Sequence, residues 1–304
     1  MTASLTAVRL GGRPDLPLLV LGPSLGTSAT ALWRDCARHL ARDFQVVAWD
    51  LPGHGTNAAV PSTAEEPLTV PDLAAGVLAL VDTMAQGLHA PSFHYAGDSV
   101  GGAVGLQLLL DAPARVESAT LLCTGARIGT PESWAERAGT VRERGTEALV
   151  EASTERWFGP GFVEREAESA AALLRSLTAA DDEAYAAVCG ALAAFDVRDR
   201  LGEATVPVLA VAGSHDVPTP PGLLRALAEG VPDGRFAELD GVAHLAPAEA
   251  PEEVARLVRE HALGPDQDGP PPEVEALLAA VRAARAAGLP PAEVREVVRA
   301  ALAE

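Results

Sequence analysis

The stretch "YAGDSVGGAVG", residues 95–105, places a serine between two glycines, directly after an apolar strand and directly before a small-residue helix. A strand-to-helix turn tight enough to lift Ser99 clear of a sheet brings the two backbones almost into contact and leaves no room for side chains at Gly97 and Gly101. The pattern is G-x-S-x-G. A glycine-rich turn kept for packing alone is the alternative, and the rest of the chain decides between them.

Upstream, "DLPLLVLG" (15–22) reads as a buried strand ending in a glycine-containing loop, and "ATALWRDCARHLA" (29–41) has apolar positions at helical spacing. "FQVVAWD" (44–50) is the next strand, closed by the turn "LPGHG", and a helix runs from Pro71 through "PDLAAGVLALVDTMAQGL". Then come the strand "PSFHYAG", the helix "VGGAVGLQLLLDA" and the strand "VESATLLC". This alternation predicts an α/β fold, a doubly wound, mostly parallel sheet with helices on both faces, whose first part is 1–127.

From 128 to 201 the pattern is helical only, which predicts an inserted helical lid over the carboxyl ends of the strands, where such folds bind ligands. The alternation resumes over 202–263 with the strand "VPVLAVAGSHD", a helix at "GLLRALAEG", the strand "GRFAEL" and the helix "PEEVARLVREHA". Residues 264–271 are a linker by composition. Val274, Leu277, Leu278 and Val281, then Val294, Val297, Val298 and Ala301, repeat i, i+3, i+4, i+7, so 272–304 predicts a C-terminal helical hairpin. So small a hairpin cannot bury its own stripe and should dock on the body or support a homo-oligomer.

A serine nucleophile needs a base and an acid that orients it, which on such a sheet follow in the order Ser, Asp, His at the ends of later strands. Asp216 stands just past the strand in "AVAGSHD", and His244 in the loop "GVAHLAPAEAPEEV" before the last helix. Ser99 would attack a carbonyl carbon, His244 would carry the proton, and Asp216 would fix the imidazole and stabilise its cation. The N–H groups of Val100 and, from the loop "GPSLGTS", Leu25 would stabilise the oxyanion. His54 and His215 compete for the role of base, but a loop after the last strand suits His244 better. His54 reads as loop packing, His94 as a satisfied core residue, and His39, His89 and His261 as helix or turn surface. Asp98 reads as a carboxylate stabilised by a helix N-terminus, with no catalytic role.

Composition narrows the partners. The 304 residues carry a net charge of −19 with 23 arginines and no lysine, which argues against nucleic acid and anionic membrane as ligands. The sequence has no secretory leader pattern and no apolar stretch of membrane-spanning length, so the expected compartment is the cytoplasm. Cys36, Cys123 and Cys189 are widely spaced in apolar or helical patterns and read as buried thiols.

These residues resemble the α/β-hydrolase fold from 1 to about 263. More narrowly, "PSLGTSATALW", "DLPGHG", "GDSVGG", "CTGARIGTPESWAER" and the loop around His244 look like the 3-oxoadipate enol-lactonases of the β-ketoadipate pathway. The resemblance implies hydrolysis of a small anionic lactone, 3-oxoadipate enol-lactone, in aromatic-acid catabolism, with no metal or organic cofactor. The substrate carboxylate asks for a cationic contact, for which Arg137 and Arg127 are candidates, with Trp134 as an apolar wall. Two residues depart from the family pattern at the edge of the acyl site: Pro23, where asparagine is common, and Asp98, where an apolar residue is common. Another carboxylic-ester or lactone hydrolase, a cofactor-free haloperoxidase or perhydrolase, and an inactive hydrolase-fold binding module are the competing readings.

Overall fold

The computed structural model describes residues 2–59, 67–84, 92–264 and 281. Its strands are β1 (Thr6–Gly11), β2 (Leu18–Gly22), β3 (Gln45–Asp50), β4 (Phe93–Asp98), β5 (Val116–Leu122), β6 (Val208–Gly213) and β7 (Gly234–Leu239). They form one sheet in the order β1-β3-β2-β4-β5-β6-β7, parallel throughout except for β1, which runs antiparallel to β3. Strands β2, β4 and β6 are buried at every residue, which is why they read as unbroken apolar runs. Strand β1 lies outside the sequence reading. It is a half-exposed edge strand with Arg9 in its middle, and such a strand has no apolar run to announce it.

Helix α1 (Ala29–Leu40) starts on a Ser28 cap, and the Asp50 carboxylate at the end of β3 accepts the N–H of Ala29 at 2.7 Å. The helices α2 (Val70–Met84) and α3 (Val100–Asp111) join β3 to β4 and β4 to β5. The chain winds from β2 outward to β3, then returns to add β4 on the other side of β2. That reversal puts the loops after β2 and β4 side by side, with Gly22 paired to Gly97, at the switch point where open α/β sheets bind ligands.

Between β5 and β6 the chain is helical, in α4 (Pro131–Arg144), α5 (Val150–Trp157), the single turn α6 (Phe162–Arg165), α7 (Ala167–Thr178) and α8 (Asp182–Ala194). After β6 come α9 (Pro221–Gly230), the short α10 (Ala246–Glu249) beyond β7, and α11 (Pro251–Leu263). The chain divides into two compact units, Met1–Ala262 and Leu263–Glu304, so the sheet and its helical insertion share one unit. The expected linker and hairpin, apart from Gly264 and Val281, lie outside the described residues, as does His89. Among the described residues no helix is long and apolar enough to cross a membrane.

Candidate active site

Ser99 sits at the junction of β4 and α3 with φ 53° and ψ −114°, in a region that non-glycine residues rarely occupy. The neighbouring packing enforces this backbone. A Cβ on Gly97 would fall 2.3 Å from the Gly101 carbonyl oxygen, and one on Gly101 would meet the Gly22 carbonyl carbon at 2.6 Å. Gly101 N donates to Pro23 O at 2.9 Å, and the Thr124 hydroxyl donates to Ser99 O at 2.7 Å, tying the turn to β2 and β5. The unusual Pro23 therefore serves this contact through its carbonyl.

His244 Nε2 lies 3.0 Å from Ser99 Oγ, and its Nδ1 lies 3.1 and 3.0 Å from the two Asp216 oxygens. All three residues are buried. Burial pushes the Asp216 carboxyl up, but the electrostatic attraction and hydrogen bond of His244, with the donors of Thr219, outweigh it and hold Asp216 below the usual carboxylate range. A carboxylate only accepts, so Nδ1 carries the proton and Nε2 is left to accept from the Ser99 hydroxyl. Thr219 donates from its N–H to Asp216 Oδ1 at 2.9 Å and from its hydroxyl to Oδ2 at 2.6 Å. The sequence reading omits Thr219, although an aspartate followed three residues later by threonine is a local turn signal.

The N–H groups of Leu25 and Val100 have no acceptor among the described residues, and Leu25 faces the same pocket as Ser99. That pocket holds about 380 Å³ with its mouth included. Ser24, Leu25, Ser99 and His244 line its floor, and Trp134, Arg137, Ser153, Arg156, Trp157 and Tyr185 come from the helical insertion. Arg137 Nε donates to the Tyr185 hydroxyl at 2.8 Å, and Trp134 Nε1 donates to Ile128 O at 2.6 Å. Burial, then the nearby Arg137 guanidinium, lowers the pKa of Arg156. Neither arginine has a carboxylate partner among the described residues. Arg127, expected beside them, does not line the pocket: it faces Asp196 across 4.0 Å, drawn off by that carboxylate.

Asp98 corrects another expectation. It is the last residue of a fully buried strand rather than a first-turn residue of α3, and neither carboxyl oxygen has a hydrogen-bond partner. Burial first, then the Asp216 and Glu249 carboxylates, raises its pKa well above the usual range; the Ser24 hydroxyl is near enough to offset part of this but lies outside bonding geometry. A helix dipole does not hold it charged. Glu249, which the sequence reading passes over, grips the histidine loop: Oε1 accepts Ala243 N at 2.9 Å, and Oε2 accepts Gly159 N of the insertion at 2.6 Å.

The other histidines stand apart from the pocket. His54 is buried, donates from Nδ1 to Pro52 O at 2.8 Å and stacks on Tyr185 with ring centres 5.9 Å apart. His94 meets the Ser118 hydroxyl at 2.9 Å, and His39 and His215 are exposed. His261, expected on a surface, is half-buried with Nε2 3.2 Å from Pro207 O, because α11 lays it against the strand entering β6. The three cysteines are free and buried. Among the described residues no group of three or more His, Cys, Asp or Glu side chains is placed to hold a metal ion.

The profile of the alpha/beta hydrolase family matches residues 19–257. The chain belongs to that family. It is 34% identical to 3-oxoadipate enol-lactonase 2 of Acinetobacter baylyi over 67% of this chain and 73% of the relative. It is 31% identical to RutD of Azorhizobium caulinodans, a candidate carbamate hydrolase, over 77% of this chain and 86% of that one. Among solved structures, the enol-lactonase from Burkholderia xenovorans LB400 superposes with a TM-score of 0.78 at 32% identity, covering 84% of this chain and 95% of that one. The protein is thus a hydrolase, and its Ser99, His244 and Asp216 stand in the arrangement of a serine hydrolase.

Proposed function

We propose that this hydrolase opens 3-oxoadipate enol-lactone to 3-oxoadipate through an acyl-enzyme on Ser99. What carries the reading is the pair of guanidiniums without carboxylate partners among the described residues, Arg137 and Arg156, facing the pocket of Ser99 in a chain of net charge −19. In so acidic a protein, cations in a small pocket that no carboxylate of the described residues neutralises favour an anionic ligand. The enol-lactonase relatives carry the name of a reaction whose substrate is both a lactone and an acid.

His244 Nε2 takes the Ser99 proton as Oγ adds to the lactone carbonyl. The oxyanion then meets the N–H groups of Val100 and Leu25, each worth about 3 kcal/mol of barrier. Collapse breaks the ring C–O bond, and His244 returns its proton to the departing enol oxygen, which relaxes to the ketone. Water, deprotonated by the same His244, releases the acid and regenerates Ser99. Asp216, kept charged, stabilises the imidazolium at each addition. The anchor for the free carboxylate is Arg156 with Arg137, and Trp134 supplies an apolar wall.

The test follows the loss of ultraviolet absorption of enol-lactone generated in situ, with wild-type protein and Ser99→Ala. Fast loss in the wild type, abolished by the substitution, is expected. Loss at the spontaneous rate, while simple esters or a carbamate are still cleaved, would overturn the substrate and keep the nucleophile.

A further inference from the structure

Ser153, on α5, is a hydroxyl with nothing to bond. It is 2% exposed, and its Oγ has no hydrogen-bond partner among the described residues. A helical serine or threonine can return its proton to the carbonyl four residues back, as the partly exposed Thr140, Thr154 and Ser176 do here at 3.0, 2.8 and 3.0 Å. Ser153 does not, and the wall it belongs to is that of the pocket holding Ser99. Leaving a buried hydroxyl unsatisfied costs stability, so a group from outside the chain is the natural partner.

The position says which group. Ser153, Arg156 and Trp157 lie at i, i+3 and i+4 on α5, share one helix face, and all line this pocket. The reacting carbonyl belongs between Ser99 Oγ and the N–H groups of Leu25 and Val100, while Ser153 and Arg156 line the same pocket from the helical insertion. A polar group of the substrate away from its reacting carbonyl can therefore meet this face of α5. We propose that the Ser153 hydroxyl donates to the free carboxylate of the substrate beside Arg156 and so sets selectivity for acid-bearing acyl groups; this rests on the anionic-substrate reading above.

The alanine variant separates the possibilities, because alanine is the better helix former and removes an unsatisfied hydroxyl. Ser153→Ala should therefore fold and melt no lower than the wild type. Two p-nitrophenyl esters serve as probes: the monoester of succinic acid, which carries a free carboxylate, and the butyrate, which does not. A hydrogen bond to a charged group governs a factor of about ten to a hundred, so the wild-type ratio of kcat/KM for the two should fall by that factor in Ser153→Ala, mainly through KM. Ser153→Thr, which keeps the hydroxyl, should recover at least half of the logarithm of the ratio. The inference is overturned if the ratio holds in Ser153→Ala while Arg156→Gln lowers it, which leaves the anionic reading standing. A wild-type ratio near one overturns both. A drop in melting temperature with equal losses on both esters would make Ser153 a packing residue and overturn the inference alone.

Discussion

Replacing Asp98 by asparagine turns a buried, unpartnered carboxyl into a stability measurement with a defined sign. In the folded protein burial, then the carboxylates of Asp216 and Glu249, raises its pKa above the ordinary 3.8. An acid whose pKa is higher folded than unfolded binds its proton more tightly when folded. Its stabilising contribution is full below the unfolded value and is lost as pH rises toward the folded one. The loss runs at about 1.4 kcal/mol per pH unit across that interval and stops above it. Asp98→Asn keeps the shape and has nothing to titrate, so its stability minus that of the wild type should widen upward from about pH 4 at that rate, then flatten. Two pH units within the interval separate the proteins by about 2.7 kcal/mol. The amide carries two donors where the neutral acid carries one, which shifts the whole curve by a constant; the slope is the test. Urea unfolding followed by tryptophan fluorescence at half-unit steps from pH 4.5 to 8 measures it, and subtraction cancels the general repulsion of a chain of charge −19. Parallel curves for the two proteins would mean that Asp98 titrates alike folded and unfolded, and would refute the account of its burial.

Three further outcomes follow from the packing and hydrogen bonds. Gly97→Ala, whose Cβ would sit 2.3 Å from Gly101 O, should cost more than about 4 kcal/mol and appear as insoluble or premelted protein, whereas Gly139→Ala, on a helix with open space around it, should gain up to about 1 kcal/mol by thermal melting. Glu249→Gln offers one acceptor where the folded loop uses two, at Ala243 N and Gly159 N, so kcat should fall about tenfold or more while circular dichroism stays that of the wild type; an unchanged kcat would remove Glu249 from the positioning of His244.

The core strands were legible because parallel strands buried on both faces leave no polar alternation, and the turn at Ser99 because two glycines and a serine leave few other geometries. Asp216 and His244 were readable by order alone, each following a strand by a short loop. The roof of the pocket was not. Helical spacing shows which residues share a face of α4 or α5, but not which face the insertion turns toward the sheet; thus Arg137 and Trp134 meet the pocket, Arg127 pairs with Asp196, and Ser153 and Arg156 go unnoticed. Asp98 misled for a related reason. A carboxylate before a helix reads as one that the helix N-terminus stabilises, and the sequence does not show that β4 is buried to its last residue or that the Asp216 and Glu249 carboxylates stand near that end.

The same loop ties binding to chemistry. Trp157 O, at the end of α5, accepts the N–H of His244 at 3.2 Å, and two residues on, Gly159 N reaches Glu249, which also holds Ala243. Gly159 comes so close to this loop that a Cβ there would stand 2.3 Å from Gly241 O. The carboxyl end of α5, which bears Arg156 and Trp157, is therefore fastened to the peptide that positions the proposed base. A roof hinged at that end could not lift without disturbing the hydrogen bond between His244 and Ser99. Fastened in this way, α5 holds its pocket-lining Ser153, Arg156 and Trp157 in register with the loop that carries His244.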